Sequence, residues 1–355
     1  MNSSRVNSLD WQRGLLALSI MLYHLTSWQI QELDSSSLLG KFGIYGVSMF
    51  FVLSGLSMAL VYNDYIKNVK TSLIFIIRRI FRIWPLLWLA VIIVTAGKIA
   101  MRKNPEWILV ALNLTTSFGF VSPESYINAG AWSIGNEMVY YTITPIIIYA
   151  YNKGLIYGNI LTTLTVAVAL LFSLNFLSAE NTLSDQWRIY INPFNNLFFY
   201  SSGIAIYYNF RLLSESAKNR LPIILVPLSL LLLIPAQGDQ INIVTGWTRT
   251  AYSVASISMV MFFYKIPFNL PRSISHTLTQ LGIATYGIYL LHPIFYQATN
   301  LLFKKINLHA NPYAIISVTI ALTIVSAIVI YNLFELSLIR FGKKITTSGA
   351  GAVKL

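Results

Sequence analysis

Residues 40–62 read Gly40-Lys41-Phe42-Gly43-Ile44-Tyr45-Gly46-Val47-Ser48-Met49-Phe50-Phe51-Val52-Leu53-Ser54-Gly55-Leu56-Ser57-Met58-Ala59-Leu60-Val61-Tyr62, with Lys41 the single charge among them. A helix needs about 20 mostly apolar residues to cross a hydrocarbon layer about 30 Å thick, and this run is long enough. Working outward, comparable runs lie at 11–30, 83–100, 132–151, 156–177, 190–209, 221–237, 243–264, 280–303 and 313–338. The apolar stretch 107–120 is too short to cross and reads as an interfacial or re-entrant piece. The predicted fold class is therefore all-α: a polytopic integral membrane helical bundle of about ten transmembrane helices. Residues 1–345 form one membrane domain, and 346–355 are expected to be a disordered tail.

Composition supports a lipid rather than an aqueous surrounding. Hydrophobic residues make up 55% of the chain and charged residues 10%, with a mean hydropathy of +0.62, which excludes an ordinary soluble domain. The excess of 25 Lys and Arg over 12 Asp and Glu would suggest nucleic acid in a soluble protein; here it reads as loop charge that sets orientation. With the amino terminus inside, the clusters around Lys67–Arg82, Arg211–Arg220 and Arg340–Lys344 all become cytoplasmic, so both termini are expected there. That requires an even number of spans. Cysteine is absent, which excludes disulfides and thiolate metal sites, and no metal is expected. Arg13 sits just inside the first apolar run and no small-residue cleavage site follows it, so this segment reads as a retained span.

Charge inside a span costs several kcal/mol even on lenient scales, so each instance calls for an explanation. The first span carries Asp10, Arg13 and His24. Eleven residues at 100° each bring Arg13 and His24 onto one helix face, about 16 Å apart along the axis. Asp10, three residues before Arg13, can pair with it. A deep histidine can take a proton from an attacking hydroxyl; the structural alternative is a neutral imidazole bonded between packed helices. Arg78, Arg79 and Arg82 open the third span from the cytoplasmic side. Arg79 and Arg82 point the same way, and guanidinium forks suit the phosphates of a coenzyme A thioester. A plain positive-inside anchor would use the same residues. Glu137 either orients an acceptor hydroxyl or pairs with a buried arginine. His292 precedes the helix-breaking Pro293 and reads as a packing residue. Glu335 is expected to neutralise a nearby arginine, and Gly43, Gly46 and Gly55 to permit close helix approach.

These residues, in this order, resemble the acyltransferase-3 family of integral membrane acyltransferases, which includes the O-acetylases of bacterial O-antigen, capsule and exopolysaccharide. Leu9-Asp10-Trp11-Gln12-Arg13-Gly14 followed by His24 resembles the family's opening arginine–histidine pattern, and Gly46–Gly55 its second-span signature. Arg79 and Arg82 resemble the paired-arginine motif; Trp132-Ser133 with Glu137 and Tyr141 resembles the tryptophan–serine–glutamate stretch. Tyr289-Leu290-Leu291-His292-Pro293 and Tyr331-Asn332-Leu333-Phe334-Glu335 resemble the motifs of the last two spans. Ser48 departs from the pattern, standing where many members have an aspartate.

The resemblance implies that His24 is catalytic with Arg13 its companion, and that Arg79 and Arg82, with Arg78 beside them, engage an acyl-CoA donor such as acetyl-CoA. Glu137 joins the catalytic group; Asp10, Trp132, Tyr141, His292 and Glu335 support it. The implied acceptor is a hydroxyl of a cell-surface polysaccharide or its lipid-linked glycan precursor, acylated at the bacterial inner membrane. Expected partners are acyl-CoA, that glycan and membrane lipids, with no nucleic acid. His24 serves either as general base or as transient acyl carrier. The rival is a transporter or flippase of a polysaccharide precursor whose buried charges line a path, although transporters often carry internal repeats and none is visible here.

Overall fold

The computed structural model describes residues 6–213, 215–267, 269–306 and 311–348, and among these there is no β-strand. The chain opens with α1 (Asn7–Gln29), α2 (Leu38–Tyr62) and α3 (Val69–Ala100). Local chemistry sets their starts. The Ser37 hydroxyl accepts from the Gly40 amide at 2.8 Å to begin α2, and Asn68 with Thr71 forms a reciprocal capping box at the head of α3. That cap corrects the expected start of the third span at 83. The 32 residues of α3 extend about 48 Å, well beyond the hydrocarbon thickness. About 18 Å of it, roughly 12 residues, exceeds that layer, and Arg78, Arg79 and Arg82 lie within the helix rather than at its mouth.

The short helices α4 (Trp107–Leu114) and α5 (Phe118–Val121) occupy the stretch that was too short to cross. They lead to α6 (Trp132–Lys153) and α7 (Leu155–Leu171), which ends in a π turn at Phe172–Phe176. After α8 (Trp187–Tyr190), α9 (Pro193–Phe210) begins at a proline, with the Asn192 side chain accepting from the Phe194 amide, so the sixth predicted span starts three residues later than read. Next come α10 (Glu215–Ser229), a 3₁₀ turn at Leu230–Leu233, α11 (Ile241–Val244) and α12 (Gly246–Lys265). The ninth predicted span is divided. α13 (Arg272–Ile283) ends at Ala284, where ψ is 1°, and α14 (Thr285–Lys305) follows. Last, α15 (Pro312–Ile330) widens into a π turn at Tyr331–Glu335 and continues as α16 (Leu336–Ser348). Thr346 and Thr347 thus belong to a helix rather than to the expected tail; residues 349–355 lie outside the described residues.

Each of the ten predicted apolar runs falls mainly on helix, although the seventh, 221–237, leaves helix after Leu233. Four helical stretches, Leu38–Tyr62, Val69–Ala100, Leu155–Phe176 and Pro312–Thr347, are each long and apolar enough to cross a membrane. Burial ranks them: 72% of the apolar window of α2 lies inside the protein, against 11% for the α7 stretch. α2 is the hub and α7 peripheral. The closest packing joins α2 to α9. A Cβ on Gly55 would lie 1.9 Å from the Tyr200 carbonyl oxygen, and one on Gly203 would lie 2.0 Å from that of Val52, so only glycine lets these backbones approach. α1 packs against α2, α13 and α14, and α16 folds back on α3. Outward side chains such as Ile156, Ile223 and Val325 are more than half exposed, as a lipid-facing surface requires. The protein is an integral membrane protein.

Candidate active site

Two cavities lie along α1. The one beside the amino-terminal half of α1, termed inner (the other, beside its carboxyl-terminal end, outer), has a volume of about 400 Å³ and is lined by Asp10, Arg13, Ser54, Ser57, Arg79, Arg82, Glu137, Tyr141, Tyr286 and Tyr331 among others. Arg13 donates to Asp10 Oδ1 at 3.0 Å and to the Ser57 hydroxyl, tying α1 to α2. Glu137 Oε1 accepts from the Ser54 hydroxyl and from Tyr141 OH, both at 2.5 Å.

Arg79 and Arg82 are one turn apart on α3 and both face this cavity. They are held differently. Arg82 is ion-paired with Glu335, which is 2% exposed, and lies near the rings of Tyr286 and Tyr331. The π turn ending at Glu335 widens the helix locally, in a form that recurs at functional sites. Arg79 donates to Tyr62 OH at 3.1 Å, and its guanidinium lies 5.4 Å and 6.0 Å from the ring centres of Tyr62 and Tyr141. Among the described residues no ion pair includes Arg79, and its buried Nε has no hydrogen-bond partner. Arg78 is elsewhere. Its Nε donates to Thr346 at 3.0 Å, and it stacks on Tyr65 away from the cavity. One residue of helical rotation, 100°, separates it from Arg79, so it is not grouped with the other two arginines.

The outer cavity, about 300 Å³, is lined by Tyr23, His24, Ser27, Trp28, Glu32, Trp132, Trp187, Tyr190 and Gln240 among others. His24 Nδ1 is 2.9 Å from His292 Nε2, and the Trp28 indole lies parallel to the His24 ring at 4.9 Å. Trp132 meets Trp187 edge to face at 5.8 Å. Gln240 donates to Tyr23 OH at 2.8 Å, which connects α1 to the segment before α11.

Val47 and Tyr289 line both cavities and so form the partition between them. Tyr289 is fixed there: its hydroxyl donates to the Gly130 carbonyl at 2.8 Å and accepts from Ser133 at 3.0 Å. α1 runs past this partition with Arg13 on the inner side and His24 on the outer.

Of the residues singled out from sequence, Asp10, Arg13, Arg79, Arg82, Glu137 and Tyr141 converge on the inner cavity, with Glu335 joined to it through Arg82. His24 and Trp132 line the outer cavity, with His292 behind His24. Trp28, Trp187 and Tyr190 were not foreseen, because tryptophans and tyrosines near helix ends are ordinary interfacial anchors, and Gln240 was not because it lies between two predicted spans. Arg249 was also missed. It is 4% exposed, with one nitrogen bonded to the Asn195 carbonyl at 2.8 Å and another without a partner. Its position within an apolar run was the available signal.

The fold and these cavities define a polytopic membrane protein whose polar centre is divided into an inner and an outer half. The family model described as an acyltransferase domain, acyltransferase-3, matches residues 6–332, and the chain belongs to this family of membrane acyltransferases. Comparison with curated proteins and with solved structures gave no match.

Proposed function

We propose that the protein is an O-acetyltransferase of the bacterial cytoplasmic membrane, with ten crossings and both ends in the cytoplasm. It moves acetyl from cytoplasmic acetyl-CoA to a hydroxyl of a cell-surface polysaccharide or its lipid-linked precursor. One observation carries this reading: two cavities meet at Val47 and Tyr289, with a cationic wall on one side and an imidazole on the other.

The inner cavity suits the donor. Arg79, without an ion-pair partner among the described residues, offers its guanidinium to phosphate, and Arg82 adds a second fork balanced by Glu335. Arg13 and Glu137 line the way from there toward the partition. The outer cavity suits the acceptor, since tryptophan and tyrosine faces pack against sugar rings while Gln240 and Glu32 offer hydrogen bonds to hydroxyls. In the proposed reaction His24 takes the proton from the acceptor hydroxyl as its oxygen attacks the thioester carbonyl. The C–S bond breaks, coenzyme A leaves as thiolate, and the proton passes from His24 to that sulfur.

The test uses membranes containing the full chain, supplied with radiolabelled acetyl-CoA, with label followed into the glycan fraction. His24→Ala should reduce transfer at least about 100-fold, as loss of a general base does. Arg13→Ala should fall comparably, because it removes the link between α1 and α2 at Ser57. Transfer at the wild-type level in inserted, folded His24→Ala protein would remove the assignment. Glycan export without any labelling would favour a transporter.

A further inference from the structure

His24 has a second histidine behind it. His292 lies on α14, is fully buried, and presents its Nε2 to His24 Nδ1 at 2.9 Å. On the opposite side of the same ring, His292 Nδ1 is 3.1 Å from the Ile288 carbonyl oxygen. A carbonyl only accepts, so the hydrogen of a neutral His292 is on Nδ1 and its Nε2 carries a lone pair. That lone pair must receive a hydrogen, and the atom facing it is His24 Nδ1. The chain of donors therefore runs in one direction, from His24 to His292 to the backbone of α14. It leaves the lone pair of His24 on Nε2, and His24 is the member of the pair that lines the outer cavity. The Trp28 indole lies parallel to both imidazoles, 4.9 Å and 5.9 Å away, and covers one face of the pair.

We infer that His292 is a positioning residue: it holds His24 in the Nδ1–H tautomer, with the basic Nε2 of His24 turned to the acceptor cavity. The inference rests on the proposed role of His24 in acyl transfer, but its geometric half stands apart from that role. An imidazole without such a partner favours the opposite tautomer, with hydrogen on Nε2, and would then present a donor where the reaction needs a base. When a catalytic histidine loses the group that sets its tautomer, turnover falls by orders of magnitude although the imidazole is still present.

Two measurements on the full-length protein in lipid nanodiscs decide it. The chain has 4 histidines, so ¹⁵N-histidine labelling with two-bond ¹H–¹⁵N correlations, assigned through His24→Gln and His292→Leu, resolves each ring above neutral pH. The expected result is hydrogen on Nδ1 of His24 in the wild type and a shift to Nε2 in His292→Leu. Hydrogen on Nε2 of His24 in the wild type would overturn the inference without reference to any variant.

The second measurement is transfer from labelled acetyl-CoA. His292→Leu should lower kcat about 100-fold or more, with the KM for acetyl-CoA within about twofold. His292→Gln, whose side-chain oxygen can accept in place of Nε2, should restore both the Nδ1–H tautomer and at least a tenth of wild-type turnover. Equal loss in folded Leu and Gln variants would mean that His292 matters by packing alone and would also overturn the inference. If the wild type transfers no acetyl at all, the proposed function fails while the tautomer measurement still decides the geometric half.

Discussion

Arg82 and Glu335 form an ion pair in which the carboxylate is almost fully buried. Removing one partner of a buried pair leaves an uncompensated charge, whereas replacing both with apolar groups of similar size is often neutral. Glu335→Leu is therefore expected to destabilise the protein by on the order of 3 kcal/mol, read as an earlier thermal transition in detergent. The double variant Arg82→Met with Glu335→Leu should recover the transition temperature without recovering donor binding, measured as the KM for acetyl-CoA. If the double variant binds donor normally, Arg82 is only an anchor. At this scale the sequence was partly legible. Asp10 next to Arg13 and the shared face of Arg13 and His24 follow from helical arithmetic within one segment. The pairs Arg82–Glu335 and His24–His292 join positions more than 250 residues apart. Spacing along a chain holds no record of such partners, and for this reason His292 read as a packing residue.

At the scale of the element, α2 and α9 meet through glycines placed against each other's backbones, and the contact has no slack. Gly55→Ala sets a methyl group 1.9 Å from a carbonyl oxygen that belongs to the main chain of α9 and so cannot rotate away. Overpacking of this kind costs about 1–3 kcal/mol where side chains can adjust, and this site should be at the upper end. The expected outcome is reduced yield of folded protein and an earlier thermal transition. Gly97→Ala, which would meet nothing within 4 Å, should behave as wild type. If Gly55→Ala is equally silent, the two helices are not packed as described. The glycines themselves could be read from the sequence, but not the helix each would face. Helix existence was legible for the same reason that a span must be apolar along its length. The early start of α3 depends instead on a capping box in a polar stretch, and the division at Ala284 on a backbone turn. Hydropathy registers neither.

For the whole molecule, the matter to be decided is which cavity faces which compartment, because the proposed reaction draws its donor and its acceptor from opposite sides. The clusters around Lys67–Arg82 and Arg340–Lys344 lie at the basic end of α3 and in α16, and these two helices pack together. An excess of Lys and Arg marks the cytoplasmic face, and in the proposed orientation this assigns the inner cavity, with Arg79 and Arg82, to the side where acetyl-CoA is made. The loop at Asp34–Ser36, linking α1 to α2 beyond His24, then belongs to the opposite side. A chain with no cysteine of its own allows a clean test by single introduced cysteines. Ser36→Cys should react with a membrane-impermeant maleimide added to intact spheroplasts, whereas Lys67→Cys should react only after the membrane is opened. The opposite pattern would place His24 toward the cytoplasm and Arg79 outside, and an enzyme drawing acetyl-CoA from the cytoplasm could not work in that orientation. Labelling of both sites from outside would mean that the residues between them do not cross the membrane, and the partition at Val47 and Tyr289 would then separate no compartments.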